Sequence, residues 1–127
     1  MEKLTAKEEE IMNLFWEHGA LCVREIVNMY EEPKPHFNTI STMVRALEEK
    51  GYVGHRQQGK SYQYYALIGE EEIGKHSLSA IIGRYFKNSY KRVVSSFVED
   101  GNIPIEELRS LLEEVEKQKR NNNNKND

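Results

Sequence analysis

Asn38, Thr39, Thr42 and Arg45 fall at a spacing that gathers them on one side of a helix. Their side chains are of the kinds that read base edges in the DNA major groove: Asn makes paired bonds to adenine, Arg to guanine, and Thr a hydroxyl bond or a methyl contact. Shortly after them, Arg56 and Lys60 lie in and around a Gln57-Gln58-Gly59-Lys60 turn, from which cations can contact phosphates. Catalytic chemistry is not indicated. The chain has no His-Glu-x-x-His, no Gly-x-Ser-x-Gly and no phosphate-binding glycine loop, so no catalytic residue is assigned. His18, His36, His55 and His76 are scattered without ligand spacing, which argues against zinc. The lone cysteine, Cys22, excludes an internal disulfide and a cysteine-cluster metal site; set between Leu21 and Val23, it reads as a small buried apolar residue. No cofactor is expected.

The elements that must position these residues follow from periodicity. Thr5 with Glu8 fits a capping box, and Ile11, Met12, Leu14, Phe15 and Trp16 supply the apolar face of a first helix that Gly19 ends. After the short Leu21-Cys22 link, Val23, Ile26, Val27 and Tyr30 recur at helical spacing and stop before Pro33 and Pro35. A third helix starts near Phe37, closes at Gly51 and buries Ile40, Met43, Val44 and Leu47 opposite the polar set. From Tyr52 the period drops to about 2, and two strand-like runs meet at the Gly59 turn. One face of the second strand is expected to pack on the third helix, with a short strand near Leu21 pairing onto the hairpin edge. Helix, helix, helix, hairpin is the outline of a winged helix. The fold class is therefore mainly α with a small β-hairpin: a winged helix-turn-helix domain over residues 1–68, followed by a helical dimerisation segment over 69–119.

That later segment reads as a long helix over residues 78–98, then a break at 99–104 and a final amphipathic helix. Ile81, Ile82, Tyr85, Phe86, Tyr90, Val94, Phe97, Leu108, Leu111 and Leu112 form its apolar face. Two helices cannot bury such faces alone, and pairing with a second copy is the commonest remedy. Residues 120–127 form an Asn-rich polar tail expected to be disordered.

Net charge weighs against nucleic acid at first, being -3 over 127 residues with 31% charged and 38% hydrophobic, whereas DNA-binding modules are usually basic. Between residues 33 and 65, however, Lys34, Arg45, Lys50, Arg56 and Lys60 face only Glu48 and Glu49, a local excess of +3. No run approaches the roughly 20 apolar residues of a membrane span, and Met1-Glu2-Lys3 leads into charge, so a cytoplasmic location is expected.

Leu4-Thr5 through Ile11-Met12, Trp16, Thr39-Ile40-Ser41-Thr42-Met43, Leu47, Lys50-Gly51, Gly59-Lys60-Ser61-Tyr62-Gln63-Tyr64 and Phe97-Val98-Glu99 together resemble the penicillinase-repressor family of bacterial winged-helix repressors, over residues 4–119. The resemblance implies a homodimer that binds a palindromic operator in double-stranded DNA. It further implies that Asn38, Thr39 and Thr42 read bases with Arg45 nearby, and that Arg56, Gln58, Lys60 and Ser61 contact phosphates. In the beta-lactam branch a membrane sensor with a metalloprotease domain triggers a cut in the first dimer helix. The matching bond here is Ser96–Phe97, where the family pattern has Asn before Phe. The copper-responsive branch carries a C-terminal cysteine cluster that this chain lacks.

Rival readings remain at each point. Asn38, Thr39 and Thr42 also suit a helix start, Arg45 could pair with Glu48 or Glu49, and Tyr62 and Tyr64 suit packing as well as stacking. A winged helix used only for protein contact, without sequence-specific DNA binding, is the alternative function; the acidic net charge would suit it.

Overall fold

The computed structural model describes residues 2–125, which fall into two compact units that divide between His76 and Ser77. The first unit opens with α1 (Ala6–His18). Its capping box is as expected: the Thr5 amide donates to Glu8 Oε1 at 2.8 Å and the Glu8 amide donates to Thr5 Oγ1 at 3.1 Å. Each bond satisfies an N–H that the helix start leaves without a backbone partner. α2 (Val23–Asn28) is shorter than the periodicity suggests. Lys34 Nζ donates to the carbonyls of Asn28 and Tyr30, both at 3.0 Å, and so closes the helix before Tyr30. Cys22 is only half-buried and is the N-cap of α2; its amide donates to Glu25 Oε1 at 3.0 Å. The expectation of a buried apolar thiol is corrected accordingly.

α3 (Phe37–Glu49) buries Ile40, Val44 and Leu47, and Gly51 (φ 90°) turns the chain out of it. The hairpin follows as β1 (Val53–Gln58) and β2 (Ser61–Ala66), antiparallel, with Val53 opposite Ala66 and Gln58 opposite Ser61. Its two-residue turn needs a left-handed first position, and Gly59 (φ 63°) supplies it. Leu21 pairs with Tyr64 as an isolated bridge, the short strand expected at the hairpin edge. Packing differs in one respect from expectation. β1, through buried Val53, lies on α3, while β2 packs mainly on α1 and α2. The core gathers Ile11, Met12, Phe15, Ile26, Val44, Leu47, Tyr52, Val53 and Tyr64, and Trp16 Nε1 donates to the Ile68 carbonyl at 3.0 Å.

The remaining elements are α4 (Glu70–Tyr85), α5 (Tyr90–Glu99) and α6 (Ile105–Lys125). The single long helix expected over residues 78–98 is thus two. Lys87 (φ 53°) and Asn88 (φ 62°) are left-handed, and Ser89 caps α5 by accepting from the Arg92 amide at 3.2 Å. A left-handed pair cannot continue an α-helix. α6 continues through residues 120–125, placed in the sequence reading in a polar tail without regular structure; Asn126 and Asp127 lie outside the described residues. The fold is mainly helical with a two-stranded antiparallel hairpin, in winged-helix order.

Candidate nucleic-acid interface

Asn38, Thr39, Thr42 and Arg45 are all exposed, on the side of α3 opposite Ile40, Val44 and Leu47. The helix-start reading of the three polar residues is not adopted, because the N-cap is His36. Nor does Arg45 pair with Glu48 or Glu49. Its Nε donates to the Ser41 carbonyl at 3.4 Å, while Glu48 is taken by His55 Nδ1 on β1. The His55 ring stacks edge-on against Tyr62 at 4.8 Å and lies 5.7 Å from Tyr64. One histidine therefore ties the hairpin to the C-terminal half of α3.

At the far end of the hairpin the four expected residues behave differently. Lys60 is exposed in the turn, and Gln58 is exposed just before it. Ser61 Oγ donates to the Gln58 carbonyl at 3.4 Å, so its hydroxyl is used within the turn. Arg56 is held in place, with Nε donating to Gln63 Oε1 at 3.1 Å and its guanidinium 5.7 Å from the Tyr65 ring. Tyr64 is buried, whereas Tyr62 is exposed.

Two of the five cations in the local count have structural duties. Lys34 caps α2, and Lys50 Nζ donates to both oxygens of buried Glu8 at 2.9 and 3.0 Å. Burial pushes the Glu8 carboxyl upward, but the bonds from the Thr5 amide and from Lys50 outweigh it and hold the group below its ordinary value. A cation that the sequence did not single out joins the surface instead: the Arg24 guanidinium on α2 lies 5.4 Å from the ring of Phe37, the first residue of α3. No helical spacing links residues 24 and 37. Only the packing of α2 against α3 brings them together.

In the second unit, Ile81, Tyr85, Tyr90, Val94, Phe97, Leu111 and Leu112 are exposed, with Leu78, Ile105 and Val115 beside them in kind. Of the other expected contact residues, Ile82 is buried and Phe86 and Leu108 are half-buried. The Ser96–Phe97 bond lies inside α5, the second of the three later helices rather than the first. Both its residues are exposed, and Ser96 helps line an open cleft of about 540 Å³ with Tyr85, Lys87, Arg92 and Glu99. Among the described residues no helix is long and apolar enough to cross a membrane.

Residues 4–117 match the family model described as Penicillinase repressor. The chain belongs to the penicillinase repressor family. Among its relatives in that family, the methicillin resistance regulatory protein MecI of Staphylococcus aureus (strain N315) is 29% identical over 116 residues, covering 87% of this chain and 93% of that protein. The penicillinase repressor of Bacillus licheniformis is 23% identical over 118 residues, covering 92% of each. A solved structure described as a possible transcriptional regulator for arsenical resistance aligns with 72% of this chain and 88% of its own, at 18% identity and a TM-score of 0.45.

Proposed function

We propose that this chain is a cytoplasmic transcriptional repressor that binds double-stranded operator DNA as a homodimer, each protomer laying α3 in the major groove and its hairpin along the flanking phosphates. The observation that carries the reading is the exposed face of α3, where Asn38, Thr39, Thr42 and Arg45 stand free of the capping and ion-pair roles open to them. Asn38, Thr39 and Thr42 read bases with Arg45 at their side, and Lys60 holds phosphate from the turn. Arg56, Gln58 and Ser61 on the same hairpin are placed to contact phosphate beside it, with Arg56 steadied by Gln63. A winged helix used only for protein contact would not need these groups free beside a basic turn.

The exposed apolar residues of α4, α5 and α6 support pairing of residues 69–119 with a second copy. Two-fold pairing would present two reading helices and match a palindromic operator. Membership in the family also supports relief by cleavage at Ser96–Phe97, with a membrane sensor carrying a metalloprotease domain as partner. α5 would have to unwind locally for that bond to enter a protease.

The test is selection of bound sites from random duplexes by the full chain, then affinity measured against salt. An enriched palindrome is expected, with log affinity falling by about 0.9 per phosphate engaged for each unit of log salt. No enriched site, or a near-flat salt response, would overturn the reading.

A further inference from the structure

Phe37 opens α3 with its side chain 45% exposed, and it takes no part in the buried core. The helix already buries Ile40, Val44 and Leu47 on its other side, so packing does not account for an aromatic ring here. The ring is nevertheless not loose, since the Arg24 guanidinium lies 5.4 Å from its centroid. Asn38 and Thr39 follow directly and share its exposure. In helix-turn-helix docking, the N-terminal residues of the reading helix contact base edges, and that is the end Phe37 occupies. Among the groups a base pair presents in the major groove, the apolar one is the thymine C5-methyl, and Phe is among the side chains that meet it. A ring flanked by Asn38, Thr39 and a cation fits an isolated methyl in polar surroundings better than it fits a broad apolar patch on a protein. A cation held beside a ring also keeps its N–H groups to donate, because they lie in the plane of the guanidinium.

We propose that Phe37 reads a thymine in each half-site by packing its ring on the C5-methyl, and that Arg24 holds the ring in place and donates to a neighbouring phosphate. The inference rests on the operator-binding reading and extends it to two residues outside the polar face of α3.

The experiment replaces each thymine of the selected operator in turn, symmetrically in both half-sites, by deoxyuridine, which removes only the methyl. Wild-type protein is expected to lose about fourfold per half-site at one position, about sixteenfold for the symmetric pair, as burial of one methyl-sized group gives. Phe37→Ala is expected to lose a similar factor on unmodified DNA and to become indifferent to the methyl at that position alone. Arg24→Gln is expected to weaken all sequences alike and to make the log–log salt slope shallower by about 0.9 per phosphate lost. Methyl sensitivity at every position that is the same in wild type and Phe37→Ala would overturn the thymine assignment, and an unchanged salt slope in Arg24→Gln would overturn the phosphate contact. Because wild-type binding is measured in the same series, failure to bind any sequence specifically is a failure of the operator reading, distinct from the loss of coupling at Phe37.

Discussion

Replacing Glu8 by Gln probes the tie between α1 and the end of α3. Glu8 is 5% exposed; it accepts the Thr5 amide at 2.8 Å and Lys50 Nζ at 2.9 and 3.0 Å. Gln keeps the length and the bond to Thr5 but removes the charge that Lys50 meets. Lys50 has a side chain 21% exposed and recovers water when its partner goes, so the loss stays well below that of a sealed ion pair. Weakening of the charge-assisted bonds is expected to cost the domain about 1–2 kcal/mol. For a domain of this size, each 1 kcal/mol lowers the melting temperature by about 4–8 °C, so a drop of about 5–15 °C follows. The Glu8 carboxyl is held below its ordinary 4.5 in the folded protein. Its contribution is therefore present above the unfolded value and is lost as pH falls through the lower folded value. The gap between wild type and Glu8→Gln should be full at neutral pH and shrink as the solution is acidified. Trp16 is the chain's single tryptophan and bonds to the Ile68 carbonyl, so its fluorescence follows melting of this unit. A Glu8→Gln protein melting within about 2 °C of wild type at neutral pH, or a gap undiminished at about pH 3, would refute the reasoning.

Asn38→Ala and Thr42→Ala should each relax sequence preference by about 1–3 kcal/mol in competition binding, whereas Lys60→Ala should weaken every sequence alike; a specificity change from Lys60→Ala would reverse the assignment. Phe97→Glu puts a charge on the exposed apolar face of α5, and sedimentation should then show a monomer with reduced operator affinity. Lys87→Gly relieves a left-handed non-glycine residue (φ 53°), and denaturant unfolding followed by circular dichroism should find the second unit about 1 kcal/mol more stable.

Local signals were legible in the sequence. The Thr5–Glu8 box, Gly51 after α3 and the Gly59 turn each depend on neighbours a few residues away, and each appears where the chain implies it. The break after α4 was missed: Asn tolerates the left-handed region and Ser caps helices, but the apolar period across residues 78–98 overran Lys87-Asn88-Ser89. What could not be read is what tertiary packing creates. Lys34 and Lys50 looked like surface charge and serve as a cap and an ion pair. Arg24 with Phe37 and Glu48 with His55 join separate elements. The exposed face of α3 was recognisable because amphipathic period and residue type coincide there. Which of its neighbours are free was not, because that depends on the partners that folding brings.

The hairpin is fastened toward its base, by the Leu21–Tyr64 bridge, by His55 on Glu48 and by Gln63 Nε2, which donates to the Ala20 carbonyl at 3.5 Å. Beyond these, the pairs Gln57–Tyr62 and Gln58–Ser61 carry the chain outward with exposed side chains and no part in the core. Its reach is consequently an adjustable length. Removing two cross-strand pairs would draw the tip in by about 7 Å while keeping every remaining side chain on its own face, because strand side chains alternate with a period of two. Removing a single pair would shorten it by half as much and turn Lys60 to the opposite side. Spacing between the reading helix and the outer contact can thus be altered in steps, leaving the residues that fold the domain untouched.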